Sequence, residues 1–303
     1  MAVAAPDDAW FEALVVRLAV ELAQPDLRHR AHHRLGGGDT AQVFRLLCAA
    51  TPADAHWLVK VMPEPQLDAL TGELAGLAAL ARTQAVRVPA PVCAGVWGQY
   101  AYMVLEWIDL KPLDRPGAVR LGQAMARLHA VEGPAFGYRR DNHLGANPQL
   151  NGWCDDWTEF FVRRRLAPQL RMAATQLAGD GGEKGEALIE RVPGLLAGHR
   201  PAPSLLHGDL WSGNVGVTPS GEPVVFDPAV HFGDRECDLA MAALFGGFDP
   251  EFFSAYETLH PLPPGHLHRR DLYQLYHLLN HLNLFGRPYR APVLRCMERL
   301  LAA

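Results

Sequence analysis

Three polar residues in two short segments have the types and spacing to do phosphate chemistry. The segment Leu205-Leu206-His207-Gly208-Asp209-Leu210-Trp211-Ser212-Gly213-Asn214-Val215 sets an aspartate after an apolar run and an asparagine five residues beyond it. Downstream, Val224-Val225-Phe226-Asp227-Pro228-Ala229 delivers a second aspartate from another apolar run. Transfer of a phosphoryl group asks little covalent work of a protein. It asks for a positioned acceptor hydroxyl and for neutralised phosphate charge. Asp209 has the type to accept the hydroxyl proton, Asn214 and Asp227 offer hard oxygen ligands to Mg²⁺, and His207 can brace the loop by hydrogen bonding. Either Asp209 or Asn214 alone would read as a turn former capping a loop. The combination favours chemistry.

The spacing, His-x-Asp, four residues, Asn, then a later metal-binding Asp, is that of kinase catalytic loops. A nucleotide clamp should then lie upstream. Of 28 basic residues only three are lysines, Lys60, Lys111 and Lys184. Lys60 stands inside the apolar run Trp57-Leu58-Val59-Lys60-Val61-Met62, where a contact with nucleotide phosphates explains it better than chance. Glu73, on the helix that follows, is the expected partner that holds Lys60 in place. The plainer alternatives are a strand lysine that snorkels to water and a helix glutamate facing solvent. Gly36-Gly37-Gly38 precedes the strands and lets backbone amides approach phosphates, although it is not a GxGxxG pattern. Glu106-Trp107-Ile108 is where the adenine edge should meet backbone groups.

The elements that must position these groups fall into two kinds. Trp10 to Gln24 has helical apolar spacing, and Val43 to Leu47, Trp57 to Met62, Val88 to Val96 and Ala101 to Leu105 read as strands around a helix at Leu67 to Arg82. Beyond Glu106 the periodicity is helical at Ala118 to His129, Trp157 to Met172, Glu183 to Leu196, Leu239 to Phe245 and Leu272 to Leu284, with the strand-loop-strand segment Ser204 to Asp227 among them. Gly179 to Gly185 reads as a mobile loop. The expected fold is α+β and bilobal, protein-kinase-like, with a small β-rich N-lobe over residues 1–105 for the nucleotide and a larger helical C-lobe over 106–303 carrying the catalytic loop, metal site and acceptor pocket.

Bulk properties narrow the class. The chain of 303 residues has a net charge of −5, which gives no global field for gripping nucleic acid. Its N-terminus lacks a signal-peptide pattern, and no apolar run approaches the length of a bilayer span. Five scattered cysteines, none in a CxxC pair, suit a reducing compartment. The expectation is a cytoplasmic protein with no nucleic-acid or membrane partner.

With these residues in view, the sequence resembles the fructosamine kinase (ketosamine-3-kinase) family over nearly its whole length. The resemblance runs through the Gly-rich turn, Lys60, Thr71-Gly72-Glu73, Phe136-Gly137-Tyr138, Asn151-Gly152-Trp153-Cys154-Asp155-Asp156-Trp157 and His207 to Asn214. It continues through Phe226 to Ala229, Gly233 to Met241, Phe245-Gly246-Gly247-Phe248, Leu272 to His277 and Leu279-Asn280-His281. It implies transfer of the ATP γ-phosphate, with Mg²⁺, to the 3-hydroxyl of a ketosamine, free or protein-bound. It also implies a fold shared with aminoglycoside phosphotransferases and choline kinases, and a bias of bacterial-type members towards ribulosamines. Trp211 would offer an aromatic face to the sugar or its amine carrier, the alternative being a ring that packs the catalytic loop. Many members carry a cysteine just after the glycines where this chain has Asp39, so a disulfide at that position is closed to it.

Other residues read as structure. His277 and His281 have a metal-like i, i+4 spacing but no third ligand near them in sequence, so core or pocket histidines are expected. Trp153, Asp155, Asp156 and Trp157 suit a substrate wall or an N-cap with packed tryptophans. Glu236 and Asp238 suit the start of a helix. Competing functions are an aminoglycoside or other small-alcohol phosphotransferase and a silent nucleotide-binding scaffold. The scaffold predicts erosion of Lys60, Asp209, Asn214 or Asp227, and all four are present. A protein Ser/Thr kinase is disfavoured by the lack of Asp-Phe-Gly and Ala-Pro-Glu segments.

Overall fold

The computed structural model describes residues 4–36 and 41–302. The chain forms two compact units, Met1–Ala78 with Pro89–Asp109, and Ala79–Val88 with Leu110–Ala303.

The first unit begins with helix α1 (Asp8–Glu21), capped by Asp7, whose carboxylate accepts the Trp10 amide at 2.9 Å. Strands β1 (Arg28–Arg34), β2 (Gln42–Ala49), β3 (Ala55–Pro63), β4 (Pro91–Trp97) and β5 (Tyr100–Glu106) make one antiparallel sheet in the order β1-β2-β3-β5-β4. Helix α2 (Leu67–Thr83) lies between β3 and β4 in the chain. Trp57, Val59 and Val61 share a core with Phe44, Leu46, Tyr102 and Val104 and with Phe11, Leu14 and Leu18 of α1. The two-residue period of a strand therefore turns Lys60 to the opposite face of the central strand β3. Gly37, Gly38 and Asp39 lie outside the described residues; Gly36 is described.

The second unit is mainly helical. Its elements are α3 (Arg115–His129), the hairpin β6 (Asn142–Leu144) and β7 (Asn147–Gln149), α4 (Trp157–Phe160), α5 (Ala167–Met172), α6 (Asp180–Leu195), β8 (Ser204–Leu206), β9 (Val215–Val217), β10 (Pro223–Val225), β11 (His231–Gly233), α7 (Glu236–Leu244), α8 (Pro250–Leu259), α9 (His266–Phe285) and α10 (Arg290–Ala302). Strand β8 pairs with β11, and β9 with β10. The core gathers Trp157, Phe160 and Phe161 with Leu188, Val192, Leu272, Leu275, Leu279, Val293 and Met297.

Two sequence expectations change. The helix expected over Trp157 to Met172 is interrupted by a π-helical stretch, Phe161–Leu166. It contains the buried Arg165, whose guanidinium donates to Asn151 Oδ1 at 2.7 Å and lies over the Phe160 ring. Gly179 to Gly185 is not a free loop: α6 starts at Asp180. Bare Cα atoms at Gly181 and Gly185 let the helix settle against Leu177, Leu294 and Leu170, and Lys184 bridges Asp180 and Glu298 at 3.1 and 2.8 Å. Among the described residues, no helix is long and apolar enough to cross a membrane.

Candidate active site

Strand β8 is three residues long and runs straight into the His207–Asn214 loop. Gly208 follows at φ +85°, and a Cβ there would lie 2.1 Å from the Ala229 carbonyl oxygen, so only glycine permits this turn. The Ala229 amide donates back to the His207 carbonyl at 2.8 Å. His207 sets the loop. Its Nδ1 accepts the Asp209 amide at 3.2 Å, which leaves the proton on Nε2 to donate to the Phe226 carbonyl at 3.0 Å. Burial lowers the His207 pKa against the upward pull of Asp238 and of the Phe226 bond, so the ring is neutral, as these two bonds require.

Asp209 is held from the other side. Asn214, 5% exposed at the end of the turn Ser212–Asn214, donates Nδ2 to the Asp209 carbonyl at 2.9 Å and to its Oδ2 at 3.0 Å. Removal from water pushes the Asp209 carboxyl up to about 7; the Asn214 bond opposes this, and the charges of Asp227 and Asp238 reinforce it. The Phe226 amide donates to the Asn214 carbonyl at 3.0 Å, which ties the second acidic segment to the first. Asp227 then takes φ +56°, a left-handed conformation that costs a non-glycine residue about 1–3 kcal/mol. Its neighbours overdetermine that geometry.

These residues fit a magnesium ion. With its Nδ2 committed to Asp209, Asn214 has its Oδ1 left for a cation, and Asp227 adds a carboxylate on the adjoining backbone. A hard, oxygen-only donor set beside a second carboxylate suits Mg²⁺.

What fixes the loop most firmly was not legible as function. Asp238, in the first turn of α7, is 1% exposed and accepts the His207 amide at 2.7 Å, the Gly208 amide at 2.8 Å and His129 Nε2 at 3.1 Å. With its Nε2 proton given to Asp238, His129 accepts the Tyr256 hydroxyl at Nδ1, 2.8 Å away, and Tyr256 in turn accepts from Arg235 at 3.1 Å. Burial alone would raise the Asp238 carboxyl, but the His129 bond and the Gly208 amide hold it below its ordinary value. The expected role for Asp238, an acid suited to a helix start, is thus incomplete. It is the anchor of the His207–Asn214 loop, and its one sequence signal is an acid opening the helix after the Asp227 segment.

In the first unit, Lys60 Nζ and Glu73 Oε1 are 2.6 Å apart, and Lys60 is 7% exposed. Glu106 ends β5 with its amide on the Ala90 carbonyl at 2.9 Å and its Oε2 accepting the Ala90 amide at 3.0 Å. Trp107 lies under the Arg45 guanidinium, 4.5 Å from its ring centroid, and donates to Asp109 at 2.8 Å. Ile108 follows, half-buried. In the second unit Trp211 is half-buried and meets Phe245 edge-on at 6.5 Å. Asp156 caps α4 by accepting the Glu159 amide at 2.8 Å, while Trp153 stacks on Phe232 at 6.1 Å.

A five-stranded sheet carrying a Lys–Glu pair, with a braced Asp–Asn–Asp loop in a helical unit, defines an ATP-dependent phosphotransferase of the protein-kinase-like fold. Comparison with known proteins agrees. The chain is similar over 97% of its own length and 97% of the other's to a probable ketoamine kinase of Synechocystis sp., at 38% identity. The crystal structure of a putative fructosamine-3-kinase from Haemophilus somnus 129PT covers 95% of this chain and 96% of its own at TM-score 0.86 and 26% identity. A thermostable aminoglycoside phosphotransferase in ternary complex with AMP-PNP and hygromycin B covers 96% and 98% at TM-score 0.65, and at 16% identity it bears on the fold alone. The family model described as fructosamine kinase matches residues 13–303. The chain belongs to the fructosamine kinase family.

Proposed function

We propose that the protein phosphorylates the 3-hydroxyl of ketosamines, amines bearing a ribulose- or fructose-type sugar, with ATP as donor. The observation that carries this reading is the Asp209 carboxylate, fixed by Asn214 in a loop whose backbone is clamped by Asp238. In this mechanism Asp209 orients the acceptor hydroxyl and takes its proton as the oxygen bonds to the γ-phosphorus. The bond from that phosphorus to the β–γ bridging oxygen breaks, and ADP leaves with the electron pair. Asn214 and Asp227 would hold Mg²⁺, which when bound neutralises charge on the phosphates. Lys60, fixed by Glu73, contacts the nucleotide phosphates; Gly36 brings its amide towards them, the role also assigned to Gly37 and Gly38, which lie outside the described residues; and Glu106 to Ile108 meet the adenine edge. Trp211 gives the acceptor an aromatic face.

The test is Mg-ATP consumption by the purified protein with ribulosyl-lysine, fructosyl-lysine, a free ketose, kanamycin or no acceptor, beside Asp209→Asn. ADP release that needs both a ketosamine and Asp209 is the expected result, with phosphate on the sugar 3-oxygen by NMR. Turnover of kanamycin alone would overturn the acceptor class. We also place the protein in the cytoplasm, where ATP and unpaired thiols belong; recovery in a periplasmic fraction would contradict this.

A further inference from the structure

Two residues after Asp209 the catalytic loop presents a large ring. Trp211 lies across Gly213, where a Cβ would come within 2.2 Å of the indole. From there aromatic rings continue without a break. Phe245 meets His281 at 4.7 Å between centroids, and His281 meets Tyr289 at 5.0 Å and Phe285 at 5.5 Å. Phe245 and Phe285 are 39% and 41% exposed. A contiguous exposed ring surface beginning on a catalytic loop is the kind of patch that marks a ligand site.

Helix α9 adds a polar group to it. Several polar residues on the buried side of this helix are matched: Tyr273 donates to Asp234, Tyr276 donates to Gln149, and Asn280 accepts from Asn147 and Gln169, while Asn283 donates to Gln169 but keeps a buried Oδ1 without a partner. His277 is 3% exposed, one turn before His281, and its Nδ1 is buried with no hydrogen-bond partner. Gln274 of the same helix donates to the Ala240 carbonyl at 3.0 Å, which packs α9 against α7, the helix whose Asp238 clamps His207 and Gly208.

We propose that this corner is the acceptor subsite: His277 hydrogen-bonds a sugar hydroxyl, and the Trp211–Phe245–His281 shelf carries the alkylammonium chain of the amine to which the sugar is attached. The assignment rests on the ketosamine reading above and deepens it. The imidazole is neutral, since burial, helped by His281 and Arg165, pushes its pKa down to about 3. A neutral ring offers one N–H and one lone pair, the complement of a hydroxyl. With no acceptor at the buried Nδ1, the proton belongs on Nε2. Ring faces attract an alkylammonium and stack on the C–H faces of a sugar. The shelf itself has no carboxylate, so the cation is held by ring faces over a length rather than at a point. That geometry suits a sugar on an extended chain, such as a lysyl side chain, over a free ketose.

The experiment compares the wild type with His277→Leu, His277→Gln and Phe245→Ala, measuring kcat and KM for ribulosyl-lysine, free ribulose and ATP, together with Tm. His277→Leu is expected to raise the KM of ribulosyl-lysine roughly 10- to 100-fold, the scale of one lost hydrogen bond to a buried group, with the KM of ATP held, and His277→Gln to recover part of it. Phe245→Ala is expected to raise the KM of ribulosyl-lysine about 5-fold, but not that of free ribulose. An unchanged acceptor KM in all three variants would overturn the subsite. So would a loss shared equally with ATP KM and Tm, which is the mark of a structural role. A wild type inert towards every ketosamine but active on kanamycin would instead fail the ketosamine reading, and this assignment with it. If His277→Leu does not fold, His277→Gln and the exposed Phe245→Ala still decide.

Discussion

The groups we assign to phosphoryl transfer are held by opposite means in the two units. Lys60 and Glu73 stand on a regular strand and a regular helix, and one ion pair at 2.6 Å joins them. Their positions follow from backbone ladders that most sequences of this pattern would form. Asp209, Asn214 and Asp227 stand on turns joining strands of three residues, too short to fix anything alone. There, side chains do what the ladder does elsewhere: His207, Asn214 and Asp238 satisfy the loop's amides and carbonyls one by one. The lysine side rests on regular backbone and on the Lys60–Glu73 pair. The aspartate side is fixed by a polar network, and such networks lose more than one bond when a member goes.

The comparison predicts where damage is greatest. Asp209→Asn should lower kcat by roughly 10²–10⁴-fold, the usual scale for a positioned base, with nucleotide binding nearly intact. Near-normal turnover in a single-turnover assay would remove Asp209 from the chemistry. Lys60→Met should cost roughly 10²-fold in kcat/KM for ATP, the scale of one lost charge-stabilising contact, with little loss of stability because the sheet does not depend on it. A large fall in Tm would contradict the view that the first unit is held by its ladders.

Legibility in the sequence follows the same division. Strand period alone turns Lys60 away from the Val59–Val61 core, and the scarcity of lysine pointed to it, so the Lys60–Glu73 pair could be read directly. The Asp209–Asn214 contact was readable from their spacing. Asp238 was not, because its partners lie 30 and 31 residues back at Gly208 and His207 and 109 back at His129. Contact at that range comes from tertiary packing, which no local pattern encodes. The same holds for Phe245 and for the interrupted helix, where Arg165 is buried against Leu150 and Asn151. Glycine statistics misread residues 179–185, because a glycine that permits close helix packing looks the same in sequence as one that loosens a loop.

Asp238→Asn tests the network directly. The amide keeps the size but offers one acceptor oxygen for three donors, and its NH₂ faces an N–H. A buried donor left unmatched costs about 1–3 kcal/mol, so stability should fall by about that much in urea melts. Turnover should fall about tenfold in addition, by misplacing Asp209, since 1.4 kcal/mol is a factor of ten in rate. A variant that loses stability but keeps kcat would show that the clamp serves folding alone.

The smallest effect concerns acid, and it separates the two units again. His207, His231 and His277 all belong to the second unit, and burial lowers the pKa of each, that of His277 to about 3. Below about 6.5 the unfolded chain binds protons at these rings that the folded chain refuses, so stability present above 6.5 falls with the pH, continuing for His277 towards 3. Each such histidine contributes a slope of up to about 1.4 kcal/mol per pH unit in that window. His32, in the first unit, also has a lowered pKa, but it is partly open to water and Asp8 pulls against the shift, so it adds less. Urea melts from pH 7.5 to 5 should therefore show stability declining, offset in part by the buried Asp209 carboxyl, which takes up a proton in the folded state at about 7, and His231→Phe should flatten that decline by one proton's worth. A pH-independent stability across this range would mean that the buried rings are already charged, which the neutral His207 tautomer, accepting from Asp209 and donating to Phe226, does not allow.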